Sequence, residues 1–255
     1  MNICVDKQRV KESFSIGART YDRNAEAQLK IVRNFLGLLK SRVSPDDFRC
    51  TMEFGCGTGF LTKRIISEYS PQSFYLNDLV EFCVNELEKL YPVITPMSGD
   101  AECLDLPNGL SSAVSASTVQ WFDDFQGFTE KIHKALVPNG LFAFTSFGPG
   151  NFTEIRSLSG KGLNYLSEDR VCKILEEKGF EVLHSSAETL MYEFESPVAV
   201  LRHMKYTGVN ATASKRSGST GIGPFRQNYI KQYPYGQGVA LTFNPLYFIA
   251  RKREK

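Results

Sequence analysis

Long apolar runs are missing from this chain. No segment approaches the roughly 18 consecutive apolar residues that a membrane-spanning helix needs, so a membrane protein is not expected. The opening stretch, MNICVDKQRVKESF, has no apolar core of the secretory kind, and a cytoplasmic protein is expected. Charge of one sign is missing too: 30 Lys and Arg stand against 28 Asp and Glu, a net charge of +2. Bulk electrostatic binding to nucleic acid or to a membrane surface is thereby disfavoured, although an overall count cannot see a local patch. Histidine is scarce, with residues at 133, 184 and 203 only, and the six cysteines (4, 50, 56, 83, 103 and 172) form no Cys-x-x-Cys pair. The sequence therefore predicts no metal centre, and reduced thiols rather than a disulfide framework.

What is present reads as one α/β protein. The 255 residues, 42% hydrophobic, suit a single large domain or two small ones, and no linker or internal repeat divides them. The first 41 residues place Val10, Phe14, Ile31, Phe35, Leu38 and Leu39 at helical spacing, with Asp22 or Asn24 as a cap for the longer helix. After Ser44–Asp47 the rhythm changes to short strands alternating with helices. Strands are predicted at 49–54, 73–77, 93–97, 113–118 and 141–147, the last entered through a Pro138-Asn139-Gly140 turn. Helices are predicted at 60–69, 80–90 and 125–136 between them. Such alternation implies parallel βαβ units in one covered sheet, which binds ligands at the carboxyl ends of its strands. Beyond Gly150 come a helix at 168–178 stopped by Gly179, a strand at 180–194, a helix opened by Ser196-Pro197, a Gly/Ser/Thr/Lys-rich loop at 208–224 and a last strand at 241–250.

The sharpest signal is Glu53-Phe54-Gly55-Cys56-Gly57-Thr58-Gly59 at the end of the first strand. Glycines at alternate positions let a loop turn tightly and let backbone approach a ligand. A dinucleotide fingerprint would need its third glycine at position 60, which is Phe, so the pyrophosphate reading is weakened. The loop resembles the first motif of class I methyltransferases that use S-adenosylmethionine. Asp78 follows the second strand, 19 residues after Gly59, where a carboxylate accepts two ribose hydroxyls; Asn77 competes for that role, and a helix cap is the plain alternative. Gly99-Asp100-Ala101-Glu102 follows the third strand, and Ser117 to Trp121, with the only tryptophan, ends the fourth.

A narrower resemblance follows. The segments Phe14-Ser15…Ala18-Arg19-Thr20-Tyr21-Asp22 with Ala25 and Gln28, Gly99–Glu102, Gln120-Trp121, Phe147-Gly148-Pro149-Gly150 and Leu201-Arg202-His203-Met204-Lys205…Gly208 to Ala211 together resemble the malonyl-[acyl-carrier protein] O-methyltransferases of biotin synthesis. Asn77-Asp78-Leu79-Val80 departs from that family's usual Leu-Asp-Leu-Ser-Pro. The resemblance implies a class I, Rossmann-like α/β fold: a seven-stranded, mostly parallel sheet with helices on both faces. It also implies an N-terminal helical cap (1–47), a cofactor core (48–147), a lid insertion (148–235) and a final strand (236–255). It implies S-adenosylmethionine as methyl donor, S-adenosylhomocysteine as product, and cofactor contacts from Glu53, Gly55, Cys56, Gly57, Asn77, Asp78, Leu79, Asp100, Ala101, Glu102 and Ser117.

A malonyl carboxyl, with a pKa of about 4, is already ionised at neutral pH, so no general base is needed. Two-point recognition by a guanidinium makes Arg202 the expected carboxylate anchor, or else a solvated helix charge. Tyr21 is expected to close the cofactor pocket or to staple the N-terminal helix. Gln120, Trp121 and Phe147 are expected along the substrate channel. An acidic acyl carrier protein is the expected partner, met by Lys205, Lys215, Arg216 and Arg226, with the enzyme a monomer. A methyltransferase for another small acid or a quinone-type metabolite, and a SAM-binding protein without turnover, are the competing readings.

Overall fold

The computed structural model describes residues 5–17, 20–160, 162–209 and 222–254. Three helices come first: α1 (Lys7–Gly17), α2 (Tyr21–Asn24) and α3 (Glu26–Lys40). An alternating section follows, with β1 (Cys50–Phe54), α4 (Phe60–Tyr69), β2 (Ser73–Asp78), α5 (Glu81–Leu90), β3 (Ile94–Ser98), β4 (Leu110–Ser115), α6 (Phe125–Ala135) and β5 (Leu136–Phe147). The rest is α7 (Thr153–Ser159), α8 (Glu168–Glu177), β6 (Phe180–Ala187), β7 (Leu190–Phe194), α9 (Pro197–Tyr206), α10 (Ile222–Gln232), β8 (Pro234–Tyr235), β9 (Gly238–Phe243) and β10 (Pro245–Lys252). Among the described residues, no helix is long and apolar enough to cross a membrane.

Seven strands form the main sheet in the order β3-β2-β1-β4-β5-β10-β6. The pairs among β1 to β5 are parallel, and β10 runs antiparallel to both of its neighbours. The period-two alternation of a strand sends its side chains to two cores. In β5, Leu141 and Ala143 join one cluster with Ile31 and Phe35 of α3, Ile65 of α4 and Val84 of α5. Phe142 and Phe144 join the other with Phe128 and Ile132 of α6 and Ile174 of α8. The sheet is covered on both faces, as the run of apolar residues in β5 requires.

Four expectations are corrected. Pro138-Asn139-Gly140 is not a turn before β5 but lies inside it, within an extra stretch that shifts the register between Leu110↔Leu136 and Ser112↔Leu141. The strand expected at 180–194 is two strands in two sheets: β6 edges the main sheet, whereas β7 joins β9 and β8 in a small antiparallel sheet. The strand expected at 241–250 is likewise split into β9 and β10. Asn244 makes both divisions. Its Nδ2 donates to Glu188 O at 2.9 Å, its Oδ1 accepts from Gly150 N at 3.1 Å, and its carbonyl accepts from Gly148 N at 2.8 Å. One residue, through side chain and main chain, thus bonds at both strand breaks and to the Gly148–Gly150 loop. The cap expected for the longer N-terminal helix is also absent: Ala25 occupies that position, and Asn24 Nδ2 instead donates to Thr20 O.

Ser196 caps α9 as expected, accepting from Ala199 N at 3.3 Å. His203 on this helix sits among aromatic rings, 5.1 Å from Phe194 and 6.0 Å from Phe243, and its buried Nε2 has no partner among the described residues. Burial lowers its pKa from 6.5 to about 4, because a charged imidazolium is poorly solvated there. The unfolded chain binds this proton more readily, so stability is complete above pH 6.5 and is lost as pH falls toward 4. Urea unfolding of the protein is expected to show this loss, and His203→Phe to flatten that part of the profile; equal slopes would contradict the assignment.

Candidate functional site

The cofactor-side cavity opens at the carboxyl ends of β1, β2 and β4 and has a volume of about 130 Å³. Its floor is the glycine loop. The carbonyl of Asn77 accepts from both Gly55 N (2.9 Å) and Cys56 N (3.0 Å), which binds the loop to the neighbouring strand end. Gly55 has φ +70°, and a Cβ there would lie 2.1 Å from Thr118 Oγ1. Gly57 has φ +51° but faces open space. The first glycine is therefore required by packing as well as by conformation, the second by conformation and by what the cavity must admit.

Asp78 reaches the same loop from β2. One oxygen accepts from Gly57 N and the other from Val80 N, both at 2.8 Å, the latter just before α5 begins. It is not a helix cap, since α5 starts without a side-chain cap bond, but it braces the turn before α5 and walls the cavity. Burial raises its carboxyl pKa, opposed by those backbone donors. Asn77 is spent otherwise: its Nδ2 donates to Met97 O (2.7 Å) and Gly99 O (2.9 Å), tying β2 to the end of β3. Glu53 is 1% exposed, and its Oε2 has no partner among the described residues. Burial pushes its carboxyl up to about 8, with the charge of Asp78 adding to the effect. Cys56 and Cys83 also line the wall, and burial drives both thiols upward, Cys83 to about 12, so neither is a thiolate at neutral pH.

Leu79, Asp100, Ala101 and Ser117 complete the wall. Ser117 has φ +55°, and its buried Oγ has no partner among the described residues. Glu102 does not line the cavity. Its carboxylate accepts from Asp123 N (3.0 Å) and Asp124 N (2.7 Å) and from Lys7 Nζ, so it organises the loop behind Asp100. Lys7, Phe14, Gln28 and Phe60 line the cavity without having been singled out as cavity residues from the sequence. Gln28 gave a usable signal, a polar residue on the buried side of an amphipathic helix. Tyr21 lines the mouth with its ring 5.8 Å from that of Phe60, and burial, then Asp22 and Asp78, hold its phenol well above the usual range. It stays protonated, so it can donate a hydrogen bond but is no base.

A second cavity, about 30 Å³, shares Gln28 and Trp121 with the first. Gln120, Trp121 and Phe147 all line it, as expected for the substrate side. Gln120 Nε2 donates to Ser117 O at 2.6 Å, leaving its buried Oε1 without a partner among the described residues. Phe14 meets Trp121 edge-on at 5.6 Å and so joins α1 to both cavities. Arg202 lines neither cavity: it is exposed on α9, because the inward positions of that helix go to Val200 and Met204. Lys205 and Arg226 are exposed, whereas Lys215 and Arg216 lie outside the described residues.

Comparison with known proteins agrees with this geometry. A family model for a methyltransferase domain matches residues 52–140. The malonyl-[acyl-carrier protein] O-methyltransferase of Bacteroides helcogenes is 34% identical, covering 98% of this chain and 100% of that protein. The protein of that name from Bacteroides fragilis (strain 638R) is 33% identical over 97% of this chain, which spans 51% of its length, about half. Among solved structures, a candidate methyltransferase from Bacillus halodurans C-125 superposes with TM-score 0.62 at 13% identity, covering 88% of this chain and 99% of that one. That last likeness is one of fold.

Two substitutions separate the roles of the loop glycines. Gly57→Ala should cost about 1 kcal/mol, the strain of a left-handed alanine, whereas Gly55→Ala adds a clash with Thr118 and should cost roughly 2–4 kcal/mol. Urea denaturation compares them, and equal costs would show that Thr118 yields.

Proposed function

The chain belongs to the malonyl-[acyl-carrier protein] O-methyltransferase family, and we propose that it methylates the free carboxylate of a malonyl thioester on an acyl carrier protein, using S-adenosylmethionine, at the start of pimeloyl and biotin synthesis. The observation that carries the reading is the pair of adjoining cavities, one holding carboxylates and glycine backbone at the strand ends, the other lined by aromatic and apolar side chains around a few polar ones.

The residues of the first cavity fit the methyl donor. Asp78 offers carboxylate lone pairs at a strand end, where ribose hydroxyls are accepted. Asp100 and Ala101 stand where an adenine edge would be read. The unpartnered Glu53 Oε2 and Ser117 Oγ are buried polar atoms that a bound polar ligand would satisfy. Gly57, whose missing side chain would point into open space, lets backbone face the ligand directly. When bound, S-adenosylmethionine supplies a methyl group on a cationic sulfonium and departs as S-adenosylhomocysteine. The protein's part is placement. Its wall of Tyr21, Phe60 and Trp121 excludes water, and the acceptor, ionised above a pKa of about 4, needs no base. Tyr21 closes the cofactor side; Gln120, Trp121 and Phe147 form the acyl side.

The helical cap (1–47) and the 148–235 segment act as the lid over this site. The carrier docks on the face formed by α9 with α1 and α10, which pack against it. Arg202 and Lys205 of α9 and Arg226 of α10 present exposed charge there, beside the partly exposed Leu201 and Tyr206. Lys215 and Arg216 belong to the same docking hypothesis. Arg202 is assigned to this face. A cytoplasmic monomer is part of the same reading.

Purified protein with S-adenosylmethionine and malonyl-carrier protein should yield the methyl ester by mass spectrometry; absence of product overturns the proposal. Affinity for S-adenosylhomocysteine, whose amine is cationic, should rise by up to about tenfold per pH unit from pH 6 toward 8 as Glu53 gives up its proton. Calorimetry of the wild type and Glu53→Gln checks this, the variant showing a flat profile. Charge reversal at Lys205 and Arg226 should raise the KM for malonyl-carrier about tenfold at low salt and much less at high salt, while leaving S-adenosylhomocysteine affinity unchanged.

A further inference from the structure

We propose that Arg156 of α7 is the residue that receives the acyl carboxylate, an inference that rests on the function just proposed. Arg156 is the only charged residue among the described residues lining the second cavity. Its partners are few and fixed. Nη1 donates to Pro149 O at 2.6 Å, and the guanidinium lies over the Tyr165 ring with its carbon 5.6 Å from the centroid. Neither partner is an anion. Tyr165 is held in turn by Asn151, whose Nδ2 donates to its hydroxyl at 2.9 Å. Gly162 presses on the arginine stem, where an added Cβ would come within 2.7 Å of Arg156 Cγ. The guanidinium is therefore pre-positioned, with one edge bound to backbone and its other N–H groups left for a ligand.

The rest of the cavity directs an anion to that place. Phe147, Phe152, Leu163 and Met204 offer nothing polar. Gln120 Oε1 is a buried acceptor without a donor among the described residues, and with its Nε2 given to Ser117 O it offers a carboxylate no hydrogen bond. A planar guanidinium matches a carboxylate by two parallel N–H···O bonds, and partial enclosure strengthens them. The cavity's contact with the first runs through Trp121 and Gln28, so a carboxylate held by Arg156 stays beside the methyl-donor side. The Phe-Gly-Pro-Gly run gains a physical role here: Pro149 supplies the carbonyl that orients the arginine, and Asn244 fixes the loop.

The test measures binding of malonyl-pantetheine and of its neutral terminal-amide analogue to the S-adenosylhomocysteine complex, in the wild type, Arg156→Ala and Arg156→Lys. The wild type should prefer the carboxylate by about 10- to 100-fold, the range of a charge-assisted hydrogen-bond pair. Arg156→Ala should bind both ligands alike, with S-adenosylhomocysteine affinity unchanged, and Arg156→Lys should regain part of the preference. An unaltered preference in Arg156→Ala overturns the inference, as does loss of S-adenosylhomocysteine affinity in step with acyl binding. Should Arg156→Ala fail to fold, Arg156→Lys carries the test, since it keeps the charge but loses the fork; an undiminished preference there overturns two-point recognition. Failure of the wild type to methylate malonyl-carrier protein would count against the proposed function, separately from these binding ratios.

Discussion

At the carboxyl end of β2, two neighbouring side chains divide the work that makes a site possible. Asn77 turns its carbonyl to two amides of the glycine loop and its side-chain amide to the end of β3. Asp78 takes one loop amide and the amide of Val80 just before α5. Three strand ends are thereby locked at one level by groups that are themselves buried. A charged carboxylate in such a place is costly unless donors surround it, and here the donors are backbone amides whose positions the sheet already sets. The acidic wall thus depends on the parallel sheet, and the loop's course depends on the wall.

The second cavity rests on a different support. Asn244 interrupts both the second and the last antiparallel strand paths and holds the loop after β5, which in turn carries Pro149 and launches α7. The two halves of the site therefore have separate foundations, one in hydrogen bonds at parallel strand ends and one in a single amide where two sheets part. They meet at Gln28 and Trp121, contributed by an N-terminal helix and by the turn after β4.

Much of the first half was legible in the residues. The glycine triplet, Asp78, Asp100 and Ser117 stand at successive strand ends, and a parallel βα pattern can bring such positions only to one edge. What stayed hidden was set by tertiary contact. Both Asn77 and Asp78 line the cavity, and only the structure shows that the amide donors of Asn77 are already taken by the end of β3. Glu102 looked like a ligand contact because it adjoins Asp100, but its carboxylate is filled by backbone amides and by Lys7. The split of 180–194 could not be told from the bulge at Leu183, which also breaks the alternation of β6; Asn244, a distant partner, bonds at the break. Arg156 lay in a stretch without a marked pattern, and its meaning came from Tyr165 and Gly162 beside it.

The place of β10 has a consequence for how the polypeptide is made. It follows every other described strand in sequence, yet it lies between β5 and β6, and among the described residues β6 has no other neighbour in the sheet. While the protein is still being synthesised, β1 to β5 can pair as they emerge, but β6 has to wait for residues 245–252 to leave the ribosome. During that interval β5 and β6 carry open hydrogen-bonding edges and the apolar surface of Phe142, Phe144 and Phe180 lacks its cover from Phe248, the condition under which nascent chains associate wrongly. Completion of the sheet is in this way tied to synthesis of residues 245–252.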